Sequence, residues 1–412
     1  VPVFMLVSLV VIAATYLEVL PKGMLGAFPL MIVMGELLGE AGDRTPIVKD
    51  FFGGGPIVII FASAALASYN LLPESAINII TNFMKTESFL DFYIAALITG
   101  SILGMDRDLL IKAAVRYLPV IIGGIVAAFG LTAIVGAIMG YGAKEAVLYI
   151  SLPIMGGGMG AGAVPLAEIY GKGLNVDPGS ILSKMVPAVA LGNAIAIVFA
   201  GILDKVGKNN SKISGNGKLM LNQADMEVEE QEQAPLKYEN LGTGLLLSTT
   251  FFVFGAILGK YIPIHNYALM ILTVAIVKAT GIMPKRYETA AFQWFNFIMK
   301  NLTPTLLVGI GVAYTDLTKV IAALSPTYVI LVSVTVLGSI LGAGAVGRLF
   351  GFYPVEAAIT GGLCMANMGG TGDVAVLSAA NRMELMPFAQ ISSRIGGAFM
   401  LIVATSLVKL LI

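Results

Sequence analysis

Apolar runs separated by short polar connections repeat along the chain from its first residue to its last. About 20 apolar residues cross a bilayer core as a helix, and runs of roughly 16–25 recur here. The pattern predicts eleven full crossings, at about 1–17, 24–39, 55–72, 90–106, 117–140, 180–204, 240–258, 262–282, 296–315, 327–350 and 388–412. Two further apolar segments, 146–170 and 355–380, are broken by clustered glycine and do not read as ordinary spans. The expected fold class is an all-α polytopic membrane protein, with about eleven transmembrane helices plus two re-entrant glycine-rich hairpins in inverted-topology repeats.

The polar positions orient these spans. Lys and Arg collect in the connections holding Arg44 and Lys49, then Arg107, Lys112 and Arg116, then Lys285 and Arg286. A long polar segment, 205–239, opens with Lys205, Lys208, Lys212 and Lys218 before turning acidic around 227–232. Basic connections face the cytoplasm. Eleven crossings put all four on that side only if each glycine segment enters and leaves by one face, with the N-terminus inside and the C-terminus outside. Segment 205–239 has the composition of a flexible tether.

The two halves repeat. Spans ending near 72, 106, 140 and 204 have counterparts ending near 282, 315, 350 and 412, an offset of about 210 residues. Between the third and fourth of each set lies a Gly-Gly-x-Gly segment, 156–166 in the first half and 365–377 in the second. A helix opening on Ser183-Lys184 or Ser392-Ser393-Arg394 follows each. The charge map gives the two units opposite senses, the signature of an inverted-repeat transporter. The organisation expected is N-terminal helices at 1–54, a first inverted repeat at 55–204 with hairpin 146–170, and a cytoplasmic polar linker at 205–239. A connecting helix at 240–261 and a second repeat at 262–412 with hairpin 355–380 complete it. Non-helical backbone at membrane depth survives only where protein or a water-filled cavity covers it. The hairpins should therefore meet near the midplane, their amides available to an anion and their carbonyls to a cation. Close helix packing by small residues is the other reading of either motif alone.

Composition narrows the classes. Hydrophobic residues make up 57% of the 412-residue chain and charged ones 12%, with mean hydropathy +0.88. Twenty-five basic residues balance 25 acidic ones, which argues against nucleic acid. Single Cys364 excludes a disulfide framework, and with one histidine, His265, zinc and haem sites are not expected. The chain opens inside an apolar run without a basic flank, so its native start is expected to lie upstream.

Arg394 carries the most information. A guanidinium within a span is costly and usually faces a cavity or a partner, and its planar fork suits a carboxylate. Snorkelling to the interface is the alternative, and the better reading for Lys184. Asp373, after the second glycine motif, can bind Na⁺ with backbone carbonyls or carry a proton; it could also cap the helix that follows. Asn367, Thr371 and Ser378 offer neutral oxygens. Arg382 and Glu384 read as solvated turn residues, and Met155, Met159, Met365 and Met368 as packing.

The segments 156–166, 364–383 and 389–397 resemble the 2-hydroxycarboxylate transporter family, which includes sodium–citrate and sodium–malate symporters and citrate–lactate or malate–lactate exchangers. The resemblance covers essentially the whole chain. It implies a homodimer in a bacterial cytoplasmic membrane, with a transport domain moving against a dimerisation scaffold and substrate bound between the hairpin tips. It implies Arg394, with Ser393, on a substrate carboxylate, the second hairpin's Thr371 and Gly369–Gly370 amides and the first hairpin's Met159 and Gly160 at the binding edges, and Asp373 and Asn367 on Na⁺. Sodium–citrate carriers place an arginine where this chain has Met368. One guanidinium fewer favours a dianion such as malate over trivalent citrate. The expected activity is Na⁺-coupled symport of a 2-hydroxy di- or tricarboxylate, with no prosthetic group. Proton coupling and precursor–product exchange remain open. A passive channel fits the paired hairpins poorly, and no HExxH or GxSxG motif supports an enzyme.

Overall fold

The computed structural model describes residues 2–45, 55–104, 107, 116–221, 235–262, 266–382 and 385–411. Among these the chain is all-helical, apart from one isolated β-bridge between Met220 and Phe352. The helices are α1 (Pro2–Tyr16), α2 (Met24–Arg44), α3 (Gly55–Ser68), α4 (Glu74–Lys85), α5 (Phe89–Leu103) and α6 (Leu118–Ile138). After the first glycine motif come α7 (Val164–Leu174), α8 (Pro178–Lys208), α9 (Tyr238–Leu258), α10 (Asn266–Thr280), α11 (Lys285–Tyr314), α12 (Leu317–Ala323) and α13 (Pro326–Leu349). The second motif leads into α14 (Gly370–Ala379), α15 (Met386–Ile391) and α16 (Gly397–Leu411). Six of these, α2, α6, α8, α9, α11 and α13, are long and apolar enough to cross a membrane; α4 and α5, bent by 42°, would make a seventh.

Departures from the sequence pattern have physical causes. Helix α4 was not anticipated because it is amphipathic rather than apolar. Only Ala76, Ile80, Phe83 and Met84 turn inward, at helical spacing. Helix α11 begins at Lys285, well before the apolar run at 296, because its first turns are polar but packed. There Lys278 Nζ donates to Glu288 at 2.8 Å and to the Leu103 carbonyl at 2.9 Å, joining α10, α11 and α5. The expected span 388–412 is helical through Leu411, with a π-helical turn, Ser392–Gly396, between α15 and α16.

The helices pack as two bundles. One holds α2, α3, α5, α9, α10 and α11; the other joins α6 and α13 to both glycine segments, α7, α8 and α16. Small residues set the closest approach in the second. A Cβ added at Gly338 would stand 2.7 Å from Ala128 Cα, so α13 lies directly on α6, and Thr132 and Thr335 share a 2.7 Å hydrogen bond there.

Each glycine segment is a helix–turn–helix. The first rises through 143–154, turns at 155–158 and returns through the π-helical Met159–Ala163 into α7; the second rises through 354–363, turns at 364–369 and returns as α14. π-helical turns also interrupt both rising arms, at Val147–Ser151 and Ala358–Leu363. Such turns concentrate at functional sites.

The polar segment 205–239 departs from a free tether. Lys205–Lys208 extend α8, and residues 213–221 lie against the start of the second glycine segment: Tyr353 N donates to Leu219 O and Val355 N to Ile213 O, each at 3.0 Å. Residues 222–234, with the acidic run, lie outside the described residues, as do Lys49, Lys112, His265 and Glu384.

Candidate functional site

The two glycine turns meet tip to tip. Gly157, Gly158 and Gly369 have φ of +84°, +106° and +80°, conformations that only glycine adopts freely. A Cβ on Gly158 would stand 2.5 Å from the Met368 carbonyl oxygen, and one on Gly157 2.6 Å from the Ser393 carbonyl. The motifs are therefore glycine-rich because two backbones and the Arg394 turn converge without room for side chains. Gly158→Ala is expected to lower uptake at least about tenfold through left-handed strain and this clash. Gly130→Ala on α6, where an added Cβ meets nothing within 4 Å, should leave uptake unchanged. Equal rates for the two variants in vesicles would refute the tip contact.

Between the two bundles lies a cavity of about 680 Å³, lined by Gly157, Met159, Met368, Gly369, Asp373, Ser393 and Arg394. Tyr93, Phe295 and Lys300 face it from the other bundle. Five of the nine residues singled out from sequence thus share one cavity. Asn367 is wholly buried behind it, while Gly160 lies in the π-turn after the first tip and Gly370 and Thr371 open α14. The side-chain placements of Gly160, Gly370, Thr371 and Ser378 lie outside the described residues.

Asp373 is the hub. Its carboxylate, 0% exposed, accepts from Asn367 Nδ2 and from Ser393 Oγ, each at 2.9 Å. An ionised carboxylate has about four lone-pair directions, so both oxygens keep capacity for a cation. Asp373 lies within the first turn of α14, after Gly370, rather than at its N-cap. Its side chain bonds to Asn367 and Ser393, which corrects the capping alternative. Asn367 Oδ1 in turn accepts from Gly369 N at 2.7 Å. That hydrogen bond commits the Gly369 amide to Asn367, while the glycine itself lines the cavity.

Arg394 stands on the Ser392–Gly396 π-turn, where the widened backbone turns its side chain into the cavity. Its guanidinium lies 5.4 Å from the Phe295 ring centroid, a cation–π contact across the bundle seam. Among the described residues it makes no ion pair, which leaves its donor fork to the cavity. Ser392, one turn position away, is fixed by Tyr117 at 2.9 Å. Lys184, its counterpart in the first half, is exposed and lies over the Tyr149 ring.

Asn193 was missed. It is wholly buried on α8, and its Oδ1 accepts from Met368 N at 3.2 Å. A lone amide in an otherwise apolar span was the available signal. Arg382 is corrected outright: it is not solvated but 2% exposed, between Asp204 and Glu356 at 2.7 and 3.0 Å. A cation next to a polar turn looks solvated until its partners, far away in sequence, are known.

Two backbone tips, a buried carboxylate and a guanidinium thus share one cavity. A family model, the 2-hydroxycarboxylate transporter family, matches residues 1–406. The chain belongs to the 2-hydroxycarboxylate transporter family. It is a multi-pass membrane transporter, not an enzyme. Similar proteins include the Na(+)-malate symporter of Bacillus subtilis, 40% identical over 99% of this chain and 91% of that protein. The citrate transporter CitP of Lactococcus lactis is 41% identical over 98% of this chain and 91% of its own. The citrate/sodium symporter of Salmonella typhimurium is 38% identical over 100% of this chain and 94% of its own. In this chain Asn193, from the first half, braces the tip of the second.

Proposed function

We propose that this protein is a Na⁺-coupled symporter of a 2-hydroxy di- or tricarboxylate, with malate favoured over citrate, working by elevator-type alternating access. The observation that carries the reading is the convergence of Arg394, Ser393 and Asp373 with both glycine tips on one cavity at the bundle seam. Arg394 takes a substrate carboxylate through its fork, and Asp373 holds Na⁺ with Asn367 as its positioning partner. Met159 and Gly160, with Gly369, Gly370 and Thr371, form the binding edges. Coupling then follows from charge. Substrate and cation neutralise each other and the site, so the fully loaded bundle crosses at lower desolvation cost than a half-loaded one. The bundle carrying both glycine segments moves against the other, which forms the scaffold of a homodimer.

The same reading includes eleven crossings, two re-entrant hairpins in inverted repeats, an N-terminus inside and a C-terminus outside, in a bacterial cytoplasmic membrane. Paired polar bridges support the repeats: Tyr117 hydroxyl meets Ser392 before the second broken helix, and Tyr328 hydroxyl meets the Lys184 carbonyl at 2.8 Å in the first. Malate is favoured because Met368, a thioether, lines the cavity at the position where sodium–citrate carriers are expected to have a second arginine. Two relatives are named for sodium symport and CitP is named a citrate transporter without a cation. Precursor–product exchange is the second reading, since it would use the same cavity and residues.

Uptake of labelled L-malate and citrate into proteoliposomes tests both. An inward Na⁺ gradient is expected to drive malate accumulation, with citrate KM at least about tenfold higher, the worth of one charged contact. Trivalent citrate taken up as readily as malate would sink the Met368 argument. Accumulation that ignores both Na⁺ and H⁺ gradients, but needs internal carboxylate, would replace symport by exchange.

A further inference from the structure

We propose that Arg382 is a positioning residue of the carrier: together with Asn193 it mounts the second glycine segment on α8 at two points, and so sets where Asp373 stands. This rests on the reading of Asp373 as part of the cation site. Arg382 lies at the foot of the segment, away from the cavity. Every nitrogen of its fork is engaged: Nε with Glu356 Oε1 at 3.0 Å, Nη1 with Asp204 Oδ1 at 2.7 Å and with the Ala380 carbonyl, Nη2 with Ser214 Oγ at 3.1 Å and Asn216 Oδ1 at 3.4 Å. Glu356, wholly buried, also accepts from Ser214 Oγ at 2.7 Å and Gly215 N at 3.0 Å. Asp204 also accepts from Lys208 Nζ at 2.7 Å and Asn381 Nδ2 at 3.0 Å. Two cations thus meet two carboxylates, with the hydrogen-bonding capacity of each largely used.

The placement matters more than the strength. Glu356 begins the rising arm and Arg382 ends the returning one, so a single guanidinium joins both feet of the segment. Asp204 and Asn193 are 204 − 193 = 11 residues apart on α8, about three helical turns, and so share one face. That face is lined by small buried residues, Ala196 and Ala200, and continues to Gly207. A Cβ on Gly207 would stand 2.8 Å from Ser214 Oγ and 2.9 Å from Arg382 Nη2, so glycine lets the fork and the 213–221 strap close over the helix. Asn193 holds the tip through Met368 N and Asp204 holds the foot through Arg382; α14, carrying Asp373, spans the two. A carboxylate on a helix fixed at both ends keeps its place to the fraction of an ångström that a binding site requires, about 0.5 Å. A buried network this fully satisfied is expensive to break. It is therefore a permanent mount that travels with the segment, rather than a latch that opens in each cycle.

The test is Arg382→Gln in purified carrier, with Arg382→Lys as the conservative variant. Half-saturating Na⁺, KM for malate and citrate, and maximal rate are read in vesicles, and hydrogen exchange over 370–382 in detergent. Arg382→Gln is expected to raise the half-saturation constants about tenfold, with maximal rate less affected and faster exchange confined to 370–382. Arg382→Lys, which keeps the charge but not the fork, should fall between. Should Arg382→Gln fail to fold, Glu356→Gln and Ser214→Ala each remove one partner and must shift the same constants by a smaller factor. Unchanged constants and unchanged local exchange in folded variants, with only lower thermal stability, would overturn the mount. Wild-type vesicles that take up neither acid would instead sink the transport reading, and the exchange measurement would still decide the mount.

Discussion

Replacing Arg394 with alanine should raise KM for malate by roughly two to three powers of ten, while the protein still folds and inserts. Removing one partner of a buried charge pair costs about 3–5 kcal/mol, and each 1.4 kcal/mol is tenfold in affinity. The side chain faces the cavity and makes no ion pair among the described residues, so its loss leaves no buried carboxylate newly stripped of an Arg394 salt bridge. The Phe295 stacking contact disappears from the fold. Arg394→Lys keeps charge without the planar fork and should recover part of the loss, since bidentate geometry is what a lysine lacks. Initial rates of labelled malate uptake against concentration decide it, with the amount of folded carrier measured by size-exclusion chromatography. A KM within about threefold of wild type would remove Arg394 from substrate binding, because a charged contact is worth more than that.

The second large effect belongs to Asp373. Asp373→Asn keeps the shape and one acceptor oxygen beside Ser393 and Asn367, but removes the charge. Na⁺-driven accumulation should fall at least about 100-fold, because a hard cation in a dry site depends on anionic oxygen. The deciding measurement is malate accumulation against external Na⁺ in Asp373→Asn and Asp373→Ala. Retained Na⁺ dependence in the asparagine variant would place the coupling ion elsewhere. Loss in both, with unchanged thermal stability of the asparagine variant, would support the cation role.

The apolar runs were legible because bilayer thickness imposes one length on every crossing helix, whatever its neighbours. That rule fails where a helix is covered by protein instead of lipid. The polar first turns of α11 and the amphipathic α4 lie in that class, and both escaped the pattern. The glycine motifs were legible as a pair, since left-handed backbone and close approach demand glycine wherever they occur. Arg394 and Asp373 stood out for a similar reason: an ionisable group in an apolar segment needs a partner or a cavity. Arg382 obeys the same rule, but its partners Asp204, Ser214 and Glu356 lie up to 178 residues away, and no local pattern reveals them.

The sequence by itself determined that this chain is helical and membrane-embedded, that its halves carry matching glycine breaks, and that a guanidinium and a carboxylate stand beside the second. Those are consequences of solvent and of single-residue chemistry, which local pattern records. Tertiary structure alone decided that both tips meet over Met368, that Asn367 holds the Gly369 amide, and that Asn193 and Arg382 brace the segment from α8. Each of these joins backbone or side-chain groups whose geometry only the packed bundle defines.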